Sequence, residues 1–300
     1  MVCTEIFIAD AFTKVAFNGN PAAVCLLKES IDEEKMKLIA REMNLSETAF
    51  ITTSELSKES EVILNLRWFT PTVEVALCGH ATLASAHILI NEGYLSSLLP
   101  KSNNIQEIKF DTKSGRLGVT KSSDGRLTMD FPLGEPKKIT LSTNTLDRLM
   151  SVLSVGDRAC VKNVALCRVT KKLLVEVDNY QSVIRAKANK DLMNIDFECN
   201  DVNLHVRGII LTTADAPHHH DQRYDFCSRY FSPWNGIAED PVNGSGHTVQ
   251  GVYYSNMLNK KDLVAYQASD RTGVLYLTLS ENRILMSGYA KTVLKGSINI

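Results

Sequence analysis

Residues 75–89 read VALCGHATLASAHIL. An apolar run closes on Cys78, Gly79 makes the turn, and from His80 small apolar residues continue in a helical pattern with no proline to stop it. A looser echo stands at 241–254, PVNGSGHTVQGVYY, where glycines again open a helix after strand-rich sequence. Two such passages suggest two similar lobes, each holding a helix that starts at a glycine turn. No Gly/Ser/Asn-rich linker separates them. The Lys-Ser-Gly turn at 113–115 suggests lobes of 1–117 and 118–287, the first completed by a strand at 288–300.

Outward from those passages, strand-like runs dominate, at 5–10, 61–69, 115–120, 125–131, 161–169, 172–177, 205–213, 225–231, 273–279 and 283–288. Gly-Arg-Leu after polar residues, at 115 and again at 125, signals hairpins. Two further helices are expected. Ser30–Met43 has Ser30 and Glu33 as a capping box, with Met36, Ile39, Ala40 and Met43 on one face. Asn144–Leu153 repeats that logic with Leu146, Leu149, Met150 and Leu153. The helix opened by Gly244 is expected to bury Val249, Val252, Tyr253 and Met257. Strands in such excess, without regular βαβ alternation, point to an α+β fold.

The 300 residues are 44% hydrophobic and 22% charged, enough for a substantial core. Lys plus Arg is 33 and Asp plus Glu 34, with no basic tract, so nothing points to nucleic acid or an anionic membrane. Seven cysteines are scattered and never form C-x-x-C, which speaks for a reducing compartment and against disulfides or structural zinc. Glu5 and Asp10 interrupt the first apolar stretch, which therefore reads as a strand rather than a signal peptide. With no apolar run of membrane-spanning length, the expected setting is cytoplasmic.

Four kinds of chemistry compete for the polar residues. His80 and His87 would stand about 10 Å apart along a helix, too far to share an ion, and His218–His220 lies in polar sequence, so no metal site is expected. NGSGHT lacks the spacing and lysine of a phosphate loop, but a helix N-terminus opened by glycine suits a carboxylate or enolate oxygen. Either glycine turn alone could be only a turn; two together, with acid/base residues beside both, suggest a clamp for one anionic ligand. Glu47 alternates with Leu45, Ala49 and Ile51, so it is either a desolvated acid/base or an edge glutamate in water, and the pattern alone favours the latter. Asp240 could handle protons or cap the helix behind it. Cys78 stands in an acidifying place beside His80, yet it ends an apolar run and packing is the stronger reading.

Taken jointly, several blocks resemble the phenazine-biosynthesis isomerase (PhzF-like) family. They are FNGNPAAV at 17–24, NLSETAF at 44–50, FTP at 69–71, CGHAT at 78–82, and FSPW at 231–234 leading into EDPVNGS at 239–245. The resemblance implies two pseudo-symmetric lobes of the diaminopimelate-epimerase type, each a mixed sheet around a central helix, with the site in the cleft between them. It also implies homodimers and proton transfer at carbon on a small anionic metabolite without a cofactor. By position, Glu47 resembles the general acid/base, and His80 and Asp240 the polar partners that orient substrate or relay protons. Gly79, Gly244 and Ser245 resemble carboxylate or oxyanion donors, and Ser46 and Asn20 rim contacts. The second loop departs from the family pattern, with Asn243 where threonine is usual and Gly246 where alanine is usual. The rival reading is a binding or protein-interaction module that keeps the fold without turnover.

Overall fold

The structure, a computed structural model, describes residues 3–55, 61–100, 105–199, 202–219 and 222–300. The chain divides into two compact units, Met1–Asp130 with Met286–Ile300, and Phe131–Leu285. Both are mixed sheets with few helices, the expected α+β class. The Lys-Ser-Gly turn lies inside the first unit, where it closes the hairpin between Glu107–Thr112 and Gly115–Lys121. Among the described residues no helix is long and apolar enough to cross a membrane.

In the first unit, strands β1 (Cys3–Ala11), β2 (Asn20–Leu26), β3 (Thr48–Thr53) and β4 (Ile63–Phe69) form the sheet around which the rest is arranged. β1–β2 and β3–β4 are antiparallel, and β2–β3 is parallel because helix α1 (Glu33–Met43) makes the crossover. The chain ends by laying Ala290–Asn299 antiparallel along β1. β2 escapes the sequence pattern because a proline and two alanines dilute its β-propensity.

α1 carries the expected apolar face, with Met36, Ile39 and Ala40 buried against Ile6, Cys25, Phe50 and Phe69. Burial of each large side chain there contributes roughly 1.5–3 kcal/mol. Its cap, however, is Asp32, whose carboxylate accepts from the Lys35 backbone N–H at 2.8 Å. Ser30 lies outside the helix because Glu33 is its first residue, so the cap must stand one residue earlier.

The stretch 75–89 supplies helix α2 (Gly79–Ala86), which packs on β1, β2 and β3 and is buried from His80 through Ala86. Small residues on every side let it lie directly on the sheet, as a helix without a polar face must. Its hydroxyls turn back on the backbone, Thr82 to the Cys78 carbonyl at 2.6 Å and Ser85 to the Ala81 carbonyl at 2.7 Å. The helix then widens to a π-turn at His87–Asn91.

The second unit is built on Val161–Cys167, Lys172–Val177, Gly208–Thr213, Phe226–Ser232 and Asp262–Gln267, with parallel and antiparallel pairs alternating in one sheet. Helix Thr143–Leu153 is capped by Ser142 and buries Leu149, Met150 and Leu153, with Leu146 partly covered. Helix Gly244–Leu258 buries Val249 as expected, but Val252 and Tyr253 are only partly covered and Met257 is 41% exposed. Its buried face runs through His247, Gln250, Gly251 and Tyr254 instead. Among the polar members, the Tyr254 hydroxyl lies 3.0 Å from Thr212 Oγ1 and His247 Nδ1 lies 2.7 Å from the Asn243 carbonyl. His218–His219, expected in a loop, pairs with Gln222–Arg223, and His220 lies outside the described residues.

Candidate active site

Two polar groupings form, one at each glycine-started helix. In the first unit β3 begins at Thr48, and the Ala23 backbone N–H bonds the Glu47 carbonyl at 3.2 Å. That pairing fixes Ser46 and Glu47 at the end of the sheet. α2 arrives with Cys78 at its N-cap position and His80 in its first turn. Ser46, Glu47, Cys78, Gly79 and His80 thus come together from segments far apart in sequence.

His80, 7% exposed, stands at the centre. Its Nε2 lies 3.2 Å from Ser46 Oγ and 3.2 Å from Glu47 Oε2, while Nδ1 lies 3.5 Å from Cys78 Sγ. The approach to Glu47 is close without hydrogen-bond alignment, and among the described residues that buried oxygen has no hydrogen-bond partner. The Glu47 side chain is 16% exposed. Burial raises its pKa above the ordinary carboxylate value, and hydrogen bonds from Ser46 and Cys78 pull the other way without cancelling the rise. The solvated edge glutamate that the pattern alone favoured is therefore wrong, because β2 and α2 exclude water from it. Cys78 is 6% exposed and its side chain does not cap α2. Asn20, expected as a rim contact, is 1% exposed at the start of β2, opposite Ala11.

Glu47, Cys78 and His80 also place one donor atom each within 4.8 Å of one another. A carboxylate, a thiolate and an imidazole at that separation could hold a zinc-like ion. Sequence spacing compared His80 with His87, whose ring instead meets Thr292 at 3.1 Å; tertiary contact with Glu47 was invisible to it.

In the second unit Asp240 ends strand Ile237–Asp240 and is 8% exposed. It does not cap the following helix. The cap is Asn243, whose side-chain oxygen accepts from the Gly246 backbone N–H, and whose amide donates to Asp240 Oδ2 at 2.7 Å. Ser245 Oγ donates to the same Asn243 oxygen at 3.0 Å. Asp240 thus fixes the cap, and the cap fixes the turn of Gly244 and Ser245. Gly246 fits closely here: a Cβ would stand 3.0 Å from Asn243 Oδ1 and 3.2 Å from Tyr230 Cδ2, so those neighbours would have to give by a few tenths of an ångström.

Sequence reasoning missed three contributors. Gln267, fully buried, donates to the Asp240 carbonyl at 2.6 Å and accepts from the Asn243 backbone N–H at 2.8 Å. Glu239, next to Asp240, turns to the opposite face and forms a two-pronged pair with Arg229, whose Nε lies 2.7 Å away. The third is Lys172, 7% exposed on a strand whose six residues are all buried. A lysine in register with Leu174 and Glu176 was the signal available for it.

Residues 9–296 match the family model described as phenazine biosynthesis-like protein. A phenazine biosynthesis-like domain-containing protein of Bos taurus is 43% identical over 300 residues, covering 98% of each chain. A protein of Halalkalibacterium halodurans named as an uncharacterized isomerase is 39% identical over 298 residues, covering 99% of each. The crystal structure of a PhzF-family phenazine biosynthesis protein from Enterococcus faecalis is similar over 100% of both chains, with a TM-score of 0.82 at 33% identity.

Proposed function

The chain belongs to the phenazine biosynthesis-like protein family, and from that premise we propose that it is an isomerase that moves a proton at carbon on a small carboxylate-bearing metabolite, using no metal or organic cofactor. The desolvated Glu47 carboxylate, with one buried oxygen lacking a hydrogen-bond partner among the described residues, carries the reading. Such an oxygen is available to take a proton, and its raised pKa brings it closer to the carbon acid it must serve. The isomerase name of the Halalkalibacterium relative supports the same reaction class.

In the proposed step, Glu47 removes a proton from a carbon next to the substrate's unsaturated or carboxylate-bearing centre. The electron pair left behind delocalises towards oxygen, and the helix start at Gly79, beside Glu47, favours that negative charge. The glutamic acid so formed returns a proton to a different position, so the substrate ends with its atoms conserved. His80 keeps Glu47 and Ser46 in place, and Asp240 holds the Gly244–Ser245 turn through Asn243. The ligand is a small anion, and the active form is the homodimer that the resemblance implies.

Solvent exchange tests it. Candidate 2-amino and 2-hydroxy acids are incubated with the protein in D2O, and loss of carbon-bound proton signals is followed by NMR. Exchange of at least one acid well above the protein-free rate is expected. Acids that bind without exchanging any carbon-bound proton would sink the proposal in favour of a binding module.

A further inference from the structure

Lys172 is a buried charge with little to compensate it. Its ammonium donates to the Thr170 carbonyl at 3.5 Å, the outer limit of a hydrogen bond, and lies 6.0 Å from the centre of the Tyr230 ring. Among the described residues no carboxylate forms an ion pair with it, although it is 7% exposed. Burial drives its pKa down, and the Cys167 sulfur and then the Asp240 carboxylate oppose that. Folds rarely keep a buried cation so weakly compensated, because desolvation is costly unless something pairs with it.

Its location follows from strand register. Leu174 aligns with Ile210, Ile210 with Tyr230, and Tyr230 with Asp240, so these side chains share one face of the sheet. Lys172 belongs to that face one step along, beside Gly208. The space above Gly208 is filled by the Tyr230 phenol, since a Cβ at 208 would stand 2.1 Å from its oxygen. The other end of the same ring lies under Gly246, in the first turn of the helix. Val249 continues the contact between helix and sheet face by packing in one cluster with Leu174, Ile210 and Tyr230. Lys172, the Tyr230 hydroxyl, the start of the Gly244 helix and Asp240 therefore form one buried polar row.

We infer that Lys172 is a substrate-positioning residue whose ammonium takes a carboxylate of the ligand held at the Asp240–Ser245 turn. The inference rests on the proposed function for the nature of that ligand. A carboxylate at this place supplies the missing counter-charge of Lys172 and lies at the positive end of a fifteen-residue helix. A neutral amide of the same shape would leave the ammonium unpaired.

Lys172→Met keeps the length of the stem and removes the charge. Thermal unfolding of wild type, Lys172→Met and Lys172→Arg is followed with lactate, malonate and benzoate, and with lactamide, malonamide and benzamide. At least one acid is expected to raise the wild-type Tm while its amide does not. Lys172→Met should lose that response, its apparent Kd rising roughly 10–100-fold, and Lys172→Arg should keep part of it. Without ligand, Lys172→Met should be no less stable than wild type. An acid response that survives in Lys172→Met, a wild type that answers to none of the acids, or a ligand-free Lys172→Met that unfolds at lower temperature would each overturn the inference. The readout needs no turnover. A Lys172-dependent acid response without carbon exchange would therefore reject the isomerase and leave the binding role standing.

Discussion

Replacing Glu47 by glutamine removes one charge and one transferable proton and leaves shape almost unchanged. Since the side chain is 16% exposed and touches Ser46, Cys78 and His80, the isosteric amide should leave the pocket standing. Removal of a true acid/base slows exchange by about 10²–10⁴-fold, or roughly 3–5 kcal/mol on the barrier. Stability should move the opposite way. The folded pKa of Glu47 is raised, so the native state keeps this proton to higher pH than the unfolded chain does. That contribution is fully present below the ordinary glutamate value, about 4.3, and is lost as pH rises through the raised one. Above that raised pKa the wild type carries a desolvated charge, and there Glu47→Gln should match or exceed its Tm, the gap closing as pH falls. NMR exchange measured across pH should show wild-type activity rising as the carboxylate forms, on a limb above the usual carboxylate range. Exchange in Glu47→Gln within about threefold of wild type, or a Tm clearly below it on the alkaline side of that pKa, would refute the reasoning.

Three further expectations concern neighbouring groups. Cys78→Ala removes a hydrogen bond that lowers the Glu47 pKa, so the pH–rate limb should move up while saturating exchange survives; complete loss would hand the chemistry to the thiol. Gly246→Ala forces a Cβ to within 3.0 Å of Asn243 Oδ1 and should cost roughly 1–3 kcal/mol in denaturant unfolding. Adding Asn243→Thr shortens the obstructing side chain and should recover part of that loss, a coupling visible in a double-mutant cycle. His247, fully buried with Nδ1 donating to the Asn243 carbonyl at 2.7 Å, has its pKa pushed down to about 4. The unfolded chain binds that proton first, so stability should fall by up to about 3 kcal/mol as pH drops from roughly 6.5 towards 4. His247→Phe should flatten that limb in urea titrations at each pH.

Much of the framework was legible because alternation and turn residues are local signals. Lys172–Val177, Gly273–Leu279 and Arg283–Gly288 stand where the pattern puts them. Asp262–Gln267 and Glu107–Thr112 did not register as strands, since short charged segments gain their strand character from neighbours rather than from their own composition. At the site, the glycine turns could be read from sequence and their partners could not. Glu47 meets His80 only because β2, β3 and α2 pack together, and Asn243 meets Gln267 only through a neighbouring strand. The inward alternation of Glu47 was a correct hint that pattern alone could not separate from an exposed edge. Met257 failed for a related reason: the buried face of its helix is chosen by hydrogen-bonded polar residues, which a hydrophobic period does not count.

The antiparallel pairing of β1 with Ala290–Asn299 has a consequence for biosynthesis. The first unit is discontinuous, and everything from Phe131 to Leu285 is made before its closing strand exists. At roughly 5–20 residues per second, that interval lasts roughly 8–30 s. β1 meanwhile waits with one edge unpaired, an invitation to wrong partners. Chains stopped before Met286 should thus carry an incomplete first unit, in which Glu47 and His80 still wait for the closing strand.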